Sequence, residues 1–259
     1  MPVLCSEAVV LRTWPVHEAD LVVSFFSRDY GRLKGIAKSA LKSRKRFGGA
    51  LEPMTVTRAW FAERPRQELV RLDQLEILSS PLARPVDLAR LTVLSFFAEL
   101  LDEVPPERDP QPTVFRLLAS VLDQTFAAPP ADSAAEQVLC PPWMPLTYFQ
   151  LWMTRLMGLL PDMAHCTTCG EPLQPGEVFF QSYTDGLLCA THRQGSANAL
   201  CTDSWQLALR MLRAPAAAFA AEPFPRRRAQ DLRRFTLQSL ERHLEKKLRT
   251  AEALARLGG

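Results

Sequence analysis

RDYGRLKGIAKSALKSRKRFGG, residues 28–49, carries eight basic side chains (Arg28, Arg32, Lys34, Lys38, Lys42, Arg44, Lys45 and Arg46) against the single acid Asp29. Its first half alternates: Arg32, Lys34, Ile36 and Lys38 fall on one face of an extended chain, and Leu33, Gly35 and Ala37 on the other. A period of two is that of a half-buried β-strand, which sends one face into a core and holds the other towards water. After Lys38 the alternation dissolves into Ser, Lys and Arg and closes on Gly48-Gly49, the pattern of a long mobile loop. A positive strand running into a positive loop suits the backbone of a polyanion, single-stranded nucleic acid foremost. Composition alone leaves a solvated surface run as the alternative.

Working outward, four further β-rich runs surround this strand, so that residues 7–14, 21–28, 31–40, 54–63 and 68–79 read as five strands. The turn 15–20, Asp29-Tyr30-Gly31, the basic loop and Arg64-Pro65-Arg66 separate them. Five short strands in about eighty residues are better closed into a small barrel than left as an open sheet with two edges. The five-stranded barrel that binds oligonucleotides is the OB-fold, and SH3-like barrels give a similar pattern. Among nearby aromatics, Phe25 is expected in the core, while Tyr30 and Phe47, flanked by charge or glycine, are the expected base-stacking residues.

From Pro81 the period becomes helical. Residues 87–104, 113–126, 145–160, 204–212 and 229–257 read as helices, the third as the centre of a helical core. Pro105-Pro106 ends the first, and residues 127–133 form a Pro/Ala linker. The last run places Leu240, Leu244 and Leu248 on one stripe, with Glu245 and Arg249 spaced as a surface ion pair. Its other face is basic (Arg233, Arg234, Arg242, Lys246, Lys247) and reads as solvated. The organisation expected is a barrel over 1–80, helices over 81–162, a cysteine-bearing module over 163–202, and C-terminal helices over 203–259 that pack on the helical part. The fold class is α+β.

That module holds Cys166-x2-Cys169 and, nineteen residues on, Cys189-x2-His192. Two residues between ligands let a tight turn aim both donors at one ion, and Gly170 and Gly186 supply backbone for such turns. Cys3His is an accepted structural zinc set, and four protein ligands leave no open position for chemistry. Cys201 and His165 are competing fourth ligands that lack the two-residue spacing. Cys5 and Cys140 sit in contexts of inert thiols.

The chain has 259 residues, 47% of them apolar, and a net charge of +3. Residues 1–80 hold 13 basic against 9 acidic side chains and residues 226–259 hold 10 against 4, whereas residues 81–165 hold 5 against 10. A polyanion is therefore expected at the ends rather than the middle. Met1-Pro2-Val3-Leu4 lacks the charged start and apolar run of a secretion signal, so a cytoplasmic protein is expected. No P-loop, G-x-S-x-G or H-E-x-x-H occurs, and His17 beside Glu18 and Asp20 reads as a polar hairpin turn. The expectation is a binding protein, not an enzyme.

Three stretches together carry a resemblance. AVVLRTWPVHEADLVVSFFSRDYGRLKGIAKSALKSRKRFGGALEP (8–53), CTTCG with DGLLC (166–189) and SLERHLEKKLRT (239–250) resemble, in order and across essentially the whole chain, the RecO family of bacterial recombination-repair mediators. His192 departs from the pattern, since zinc-bearing relatives usually have cysteine there. Some members lack the ligands altogether, which places the metal outside the functional centre. The resemblance implies an N-terminal OB-fold, a helical domain with a zinc module, and no catalysis. It also implies binding of single- and double-stranded DNA, annealing of complementary strands, and action with RecR to load RecA onto DNA coated by single-strand-binding protein, whose acidic C-terminal tail such proteins contact. On this reading Arg32, Lys34 and Lys38 hold phosphates along the barrel, and Lys42, Arg44, Lys45 and Arg46 close over the strand as a flexible clamp. About six neutralised phosphates would give a log–log salt slope of roughly −4. An RNA-binding OB/zinc protein of translation or transcription is the alternative.

Overall fold

In the computed structural model the alternation around Arg32 becomes β3 (Gly31–Ala37), the third of five strands with β1 (Leu4–Pro15), β2 (Leu21–Ser27), β4 (Val56–Ala62) and β5 (Val70–Ser79). Residues 2–63, 67–126, 142–182 and 184–257 are described; the Arg64-Pro65-Arg66 separator, the 127–133 linker and Cys140 lie outside them. The strands close in the order β1-β2-β3-β5-β4, antiparallel throughout except where β3 meets β5 in parallel. This is an OB-fold barrel. Leu33 and Ala37 enter its core beside Val10, Val23, Phe25, Phe61, Val70 and Leu72, and the intervening Arg32, Lys34 and Ile36 point outward. A register shift between Val10 and Arg12 reverses which residues of β1 face outward.

Helices follow: α1 (Leu88–Glu103), α2 (Pro112–Thr125) and α3 (Trp143–Leu156), then the strand pair β6 (Phe179–Phe180) and β7 (Asn198–Ala199), then α4 (Thr202–Met211), α5 (Gln230–Leu244) and α6 (Arg249–Arg256). Asp87 caps α1, its carboxylate accepting the Arg90 N–H at 2.7 Å. Met1–Arg116 with Leu248–Gly259 form one unit, and Leu117–Lys247 a second. In the first, α1 packs on β1 and on α6, whose opening N–H groups at Arg249 and Thr250 are both accepted by Glu99 at 2.9 Å. In the second, α3 is buried along most of its length and packs on α5, where Gln150 donates to the Arg233 carbonyl at 2.7 Å.

The single helix expected over 229–257 is two. Glu245 takes a left-handed φ of 54°, and Lys246 N–H returns to the Glu241 carbonyl, the closing bond of a Schellman cap. Chain direction changes there, so the expected Glu245–Arg249 pair does not form. No glycine marks the break, although the left-handed region costs a residue with a Cβ about 1 kcal/mol.

Candidate nucleic-acid interface and metal centre

The outward cations of β3 are not equally free. Arg32, with 13% of its side chain exposed, lies 3.3 Å from Glu107 and 3.9 Å from Asp102, and its Nε donates to the Pro105 carbonyl at 3.2 Å. Lys34 meets Glu107 at 2.9 Å. The hydrogen bond from Lys34, with the nearby Arg32 guanidinium, holds the Glu107 carboxyl below the usual carboxylate range. The 105–109 segment lies along this part of β3, Arg108 N–H donating to the Arg32 carbonyl at 3.0 Å. Gly31 permits the approach: its φ is +67°, and a Cβ there would sit 2.1 Å from the Asp109 carbonyl oxygen. The acids that occupy Arg32 and Lys34 come from a part of the chain some seventy residues away, which no local pattern marks.

Beyond Ala37 the chain does not form the mobile loop expected. Residues 38–54 fold as consecutive turns pinned to the barrel. Phe47 is 1% exposed in the barrel core, and Tyr30 packs edge-on against Phe61 at 5.3 Å, so neither presents a free ring for stacking. Ser39 N–H donates to the Asp20 carboxylate at 2.7 Å, and Leu41 N–H to the Ala19 carbonyl at 3.2 Å. Arg46 bonds the Lys38 carbonyl at 2.7 Å and Ser43 Oγ at 3.0 Å while lying over Phe47. It braces the turn. Lys38, Lys42, Arg44 and Lys45 are exposed and make no ion pair among the described residues. Four cations thus project from a fixed platform.

The cysteine module is two knuckles. Gly170 N–H returns to the Cys166 carbonyl at 2.9 Å in the first, and His192 N–H to the Cys189 carbonyl at 3.1 Å in the second. Thr167 N–H donates to the Leu187 carbonyl, joining them. Gly186 (φ +130°) is required at the junction, because a Cβ there would lie 2.8 Å from Thr167 Cβ. The donor atoms of Cys166, Cys169, Cys189 and His192 all lie within 4.8 Å of one another and could hold one metal ion. His192 points Nδ1 inward, 3.2 Å from Cys189 Sγ and 3.9 Å from Cys166 Sγ. Burial alone would push the Cys166 thiol up, but backbone N–H groups, chiefly that of Cys169, outweigh it and bring the thiol below its ordinary value. The competing ligands are engaged elsewhere: His165 with Asp162 at 2.7 Å, and Cys201 with Ser204 at 3.1 Å.

The face of the last long helix expected to be solvated holds this module instead. Arg242 donates to Asp185, to the Ser182 carbonyl and to the Thr184 carbonyl, and Arg234 to Asn198. Phe180 packs edge-on against Phe235 at 5.3 Å. Arg233 is partly buried, bonding Thr147 and the carbonyls of Arg226 and Arg228, and loss of solvent around it pulls its guanidinium down to about 10.

An OB barrel with exposed cations on one turn, followed by helices and a Cys3His knuckle pair that could hold a metal ion, defines a class of barrel-and-helix protein. The family models "Recombination protein O N terminal" and "Recombination protein O C terminal" match residues 1–81 and 85–252. The DNA repair protein RecO of Koribacter versatilis is 49% identical over 252 residues, 97% of this chain and 98% of the relative. Those of Anaeromyxobacter sp. (strain K) and Pelotomaculum thermopropionicum are 33% and 30% identical, covering 96% and 98% of this chain and 95% and 94% of theirs. The chain belongs to the RecO family. No helix among the described residues is long and apolar enough to cross a membrane.

Proposed function

We propose that this chain is a cytoplasmic, non-enzymatic recombination mediator that binds single- and double-stranded DNA and anneals complementary strands. With RecR it helps load RecA onto DNA coated by single-strand-binding protein, whose acidic tail it contacts. The observation that carries the DNA reading is the group of four unpaired cations, Lys38, Lys42, Arg44 and Lys45, held on a turn of an OB barrel. Mobile lysine and arginine heads neutralise phosphates of two strands without fixing either, which is what annealing requires. Arg32 and Lys34 keep acidic partners, so their first role is to seat the 105–109 segment on the barrel. RecR, RecA and the tail contact rest on family membership.

The metal is zinc in this reading. Tetrahedral zinc with sulfur at about 2.3 Å separates its ligand atoms by roughly 3.8 Å, a spacing compatible with the clustered donors. Such an ion supplies folding energy rather than a reactive water.

The test is annealing of complementary oligonucleotides, bare or coated with single-strand-binding protein. Added protein is expected to accelerate pairing in both cases, and more so than with RNA strands of the same sequence. Absence of acceleration on bare DNA would overturn the proposal, and a marked RNA preference would favour a role in translation or transcription.

A further inference from the structure

Two tryptophans lie partly exposed on the outer wall of the barrel, and their surroundings differ. Trp60 of β4 stands in the row Cys5–Trp60–Gln74, beside the row Glu7–Arg58–Glu76. There Glu76 takes Arg58 at 3.3 Å and Glu7 takes Arg28 at 2.9 Å, an acid-rich setting. Trp14 of β1 stands in the row Trp14–Val22–Ile36, beside the row Arg12–Ser24–Lys34. The register shift after Val10 brings this about, since it turns Arg12 and Trp14 outward together with Val22, Lys34 and Ile36.

Trp14, Val22 and Ile36 are each only partly covered, and Arg12 lies over the Trp14 ring at 5.4 Å. Ser24 in the adjacent row is fully buried and donates to Asp102 of α1 at 2.5 Å, so covering by α1 reaches that row. The open row is also joined to the basic turn. Ala19 and Asp20, between Trp14 and Val22 in the chain, accept the N–H groups of Leu41 and Ser39. The acids nearby have partners or lie in the turn: Glu107 with Lys34, Asp73 with Arg71 (opposite Ile36), Asp20 with Ser39 N–H, and Glu18 exposed. An apolar strip of one indole and two aliphatic side chains, flanked by an arginine and continuous with four free cations, has the composition of a stacking platform.

We infer that Trp14 is the base-stacking residue of this barrel, receiving a nucleobase of a single strand whose phosphates run to Arg12 and the 38–45 turn. The inference rests on the DNA-binding reading and adds to it a contact that depends on bases rather than charge. The experiment compares binding of a fluorescent oligothymidylate and of an abasic strand of equal length to the full chain and to Trp14→Ala, Trp14→Leu, Trp14→Phe and Trp60→Ala. The wild type is expected to prefer the strand with bases. Trp14→Ala loses about tenfold in affinity for it, the order of one stacked base, and nothing for the abasic strand. Trp14→Phe keeps most of the preference, and Trp60→Ala keeps all of it. Trp14→Leu preserves apolar bulk without a π-face, so it gives the same reading should the alanine variant fail to fold. Equal losses on both strands, or none on either, would overturn the stacking role while leaving DNA binding intact. A wild type that binds neither strand would sink the DNA reading and this inference with it.

Discussion

Cys166→Ser is expected to remove the bound metal and unfold the knuckle module. Elemental analysis of wild-type protein should give about one equivalent of zinc, and of the variant essentially none. The reason lies in how little regular structure residues 163–202 contain: among the described residues the strands there, β6 and β7, pair over two residues each. A sheet that small has no independent stability. Structural zinc contributes about 10–16 kcal/mol to the folding of isolated finger peptides at neutral pH, so a missing ligand outweighs the module's own apolar packing. Phe180, Leu187 and Leu188 would lose their burial, and with them the partner of Phe235 on α5. Proteolysis between 163 and 202 should become fast, while the barrel-bearing unit keeps its melting transition. Metal-free wild-type protein of undiminished stability would contradict the structural-zinc claim.

The second large effect concerns DNA. Replacing Lys42, Arg44 and Lys45 together with alanine removes three of the four free cations of the turn. Counterion release at single strands scales at about 0.7 per neutralised phosphate, so the loss at 0.1 M salt should be on the order of a hundredfold. The melting temperature should not move, because all three side chains are exposed and none is ion-paired among the described residues. Arg46 is left in place for a physical reason. Its guanidinium ties Ser43 and the Lys38 carbonyl together over the buried Phe47, and its removal would loosen the turn itself. Unchanged affinity in the triple variant would show that the turn does not contact the strand.

What could be read from the sequence was whatever is written locally. Alternation around Leu33 and Ala37 located the strand, and five such runs suggested the closed barrel. The two-residue spacing of Cys166/Cys169 and Cys189/His192 identified four donors that the fold brings within bonding reach of one ion. What could not be read depended on distant partners. Arg32 looks like its neighbours in the basic run, and only the fold sets it against Asp102 and Glu107. Phe47 sits among lysines and glycines, yet the turn folds back and seals its ring in the barrel core. The break at Glu245 is set by a backbone conformation that a glutamate does not advertise. Trp14 was visible as a strand residue, but its outward aim follows from a register shift that alternation does not disclose.

Whether the barrel's fixed cationic turn holds a phosphate backbone is read from the salt dependence of single-strand affinity. With Arg32 and Lys34 engaged by acids and Arg46 bracing the turn, four cations of the basic run remain, in place of the six or so that the sequence suggested, and Arg12 beside Trp14 adds at most one more. A log–log slope of about −3 is predicted for the wild type, and about −1 for the triple variant. A slope near zero for the wild type would show that the turn does not hold the strand through its phosphates.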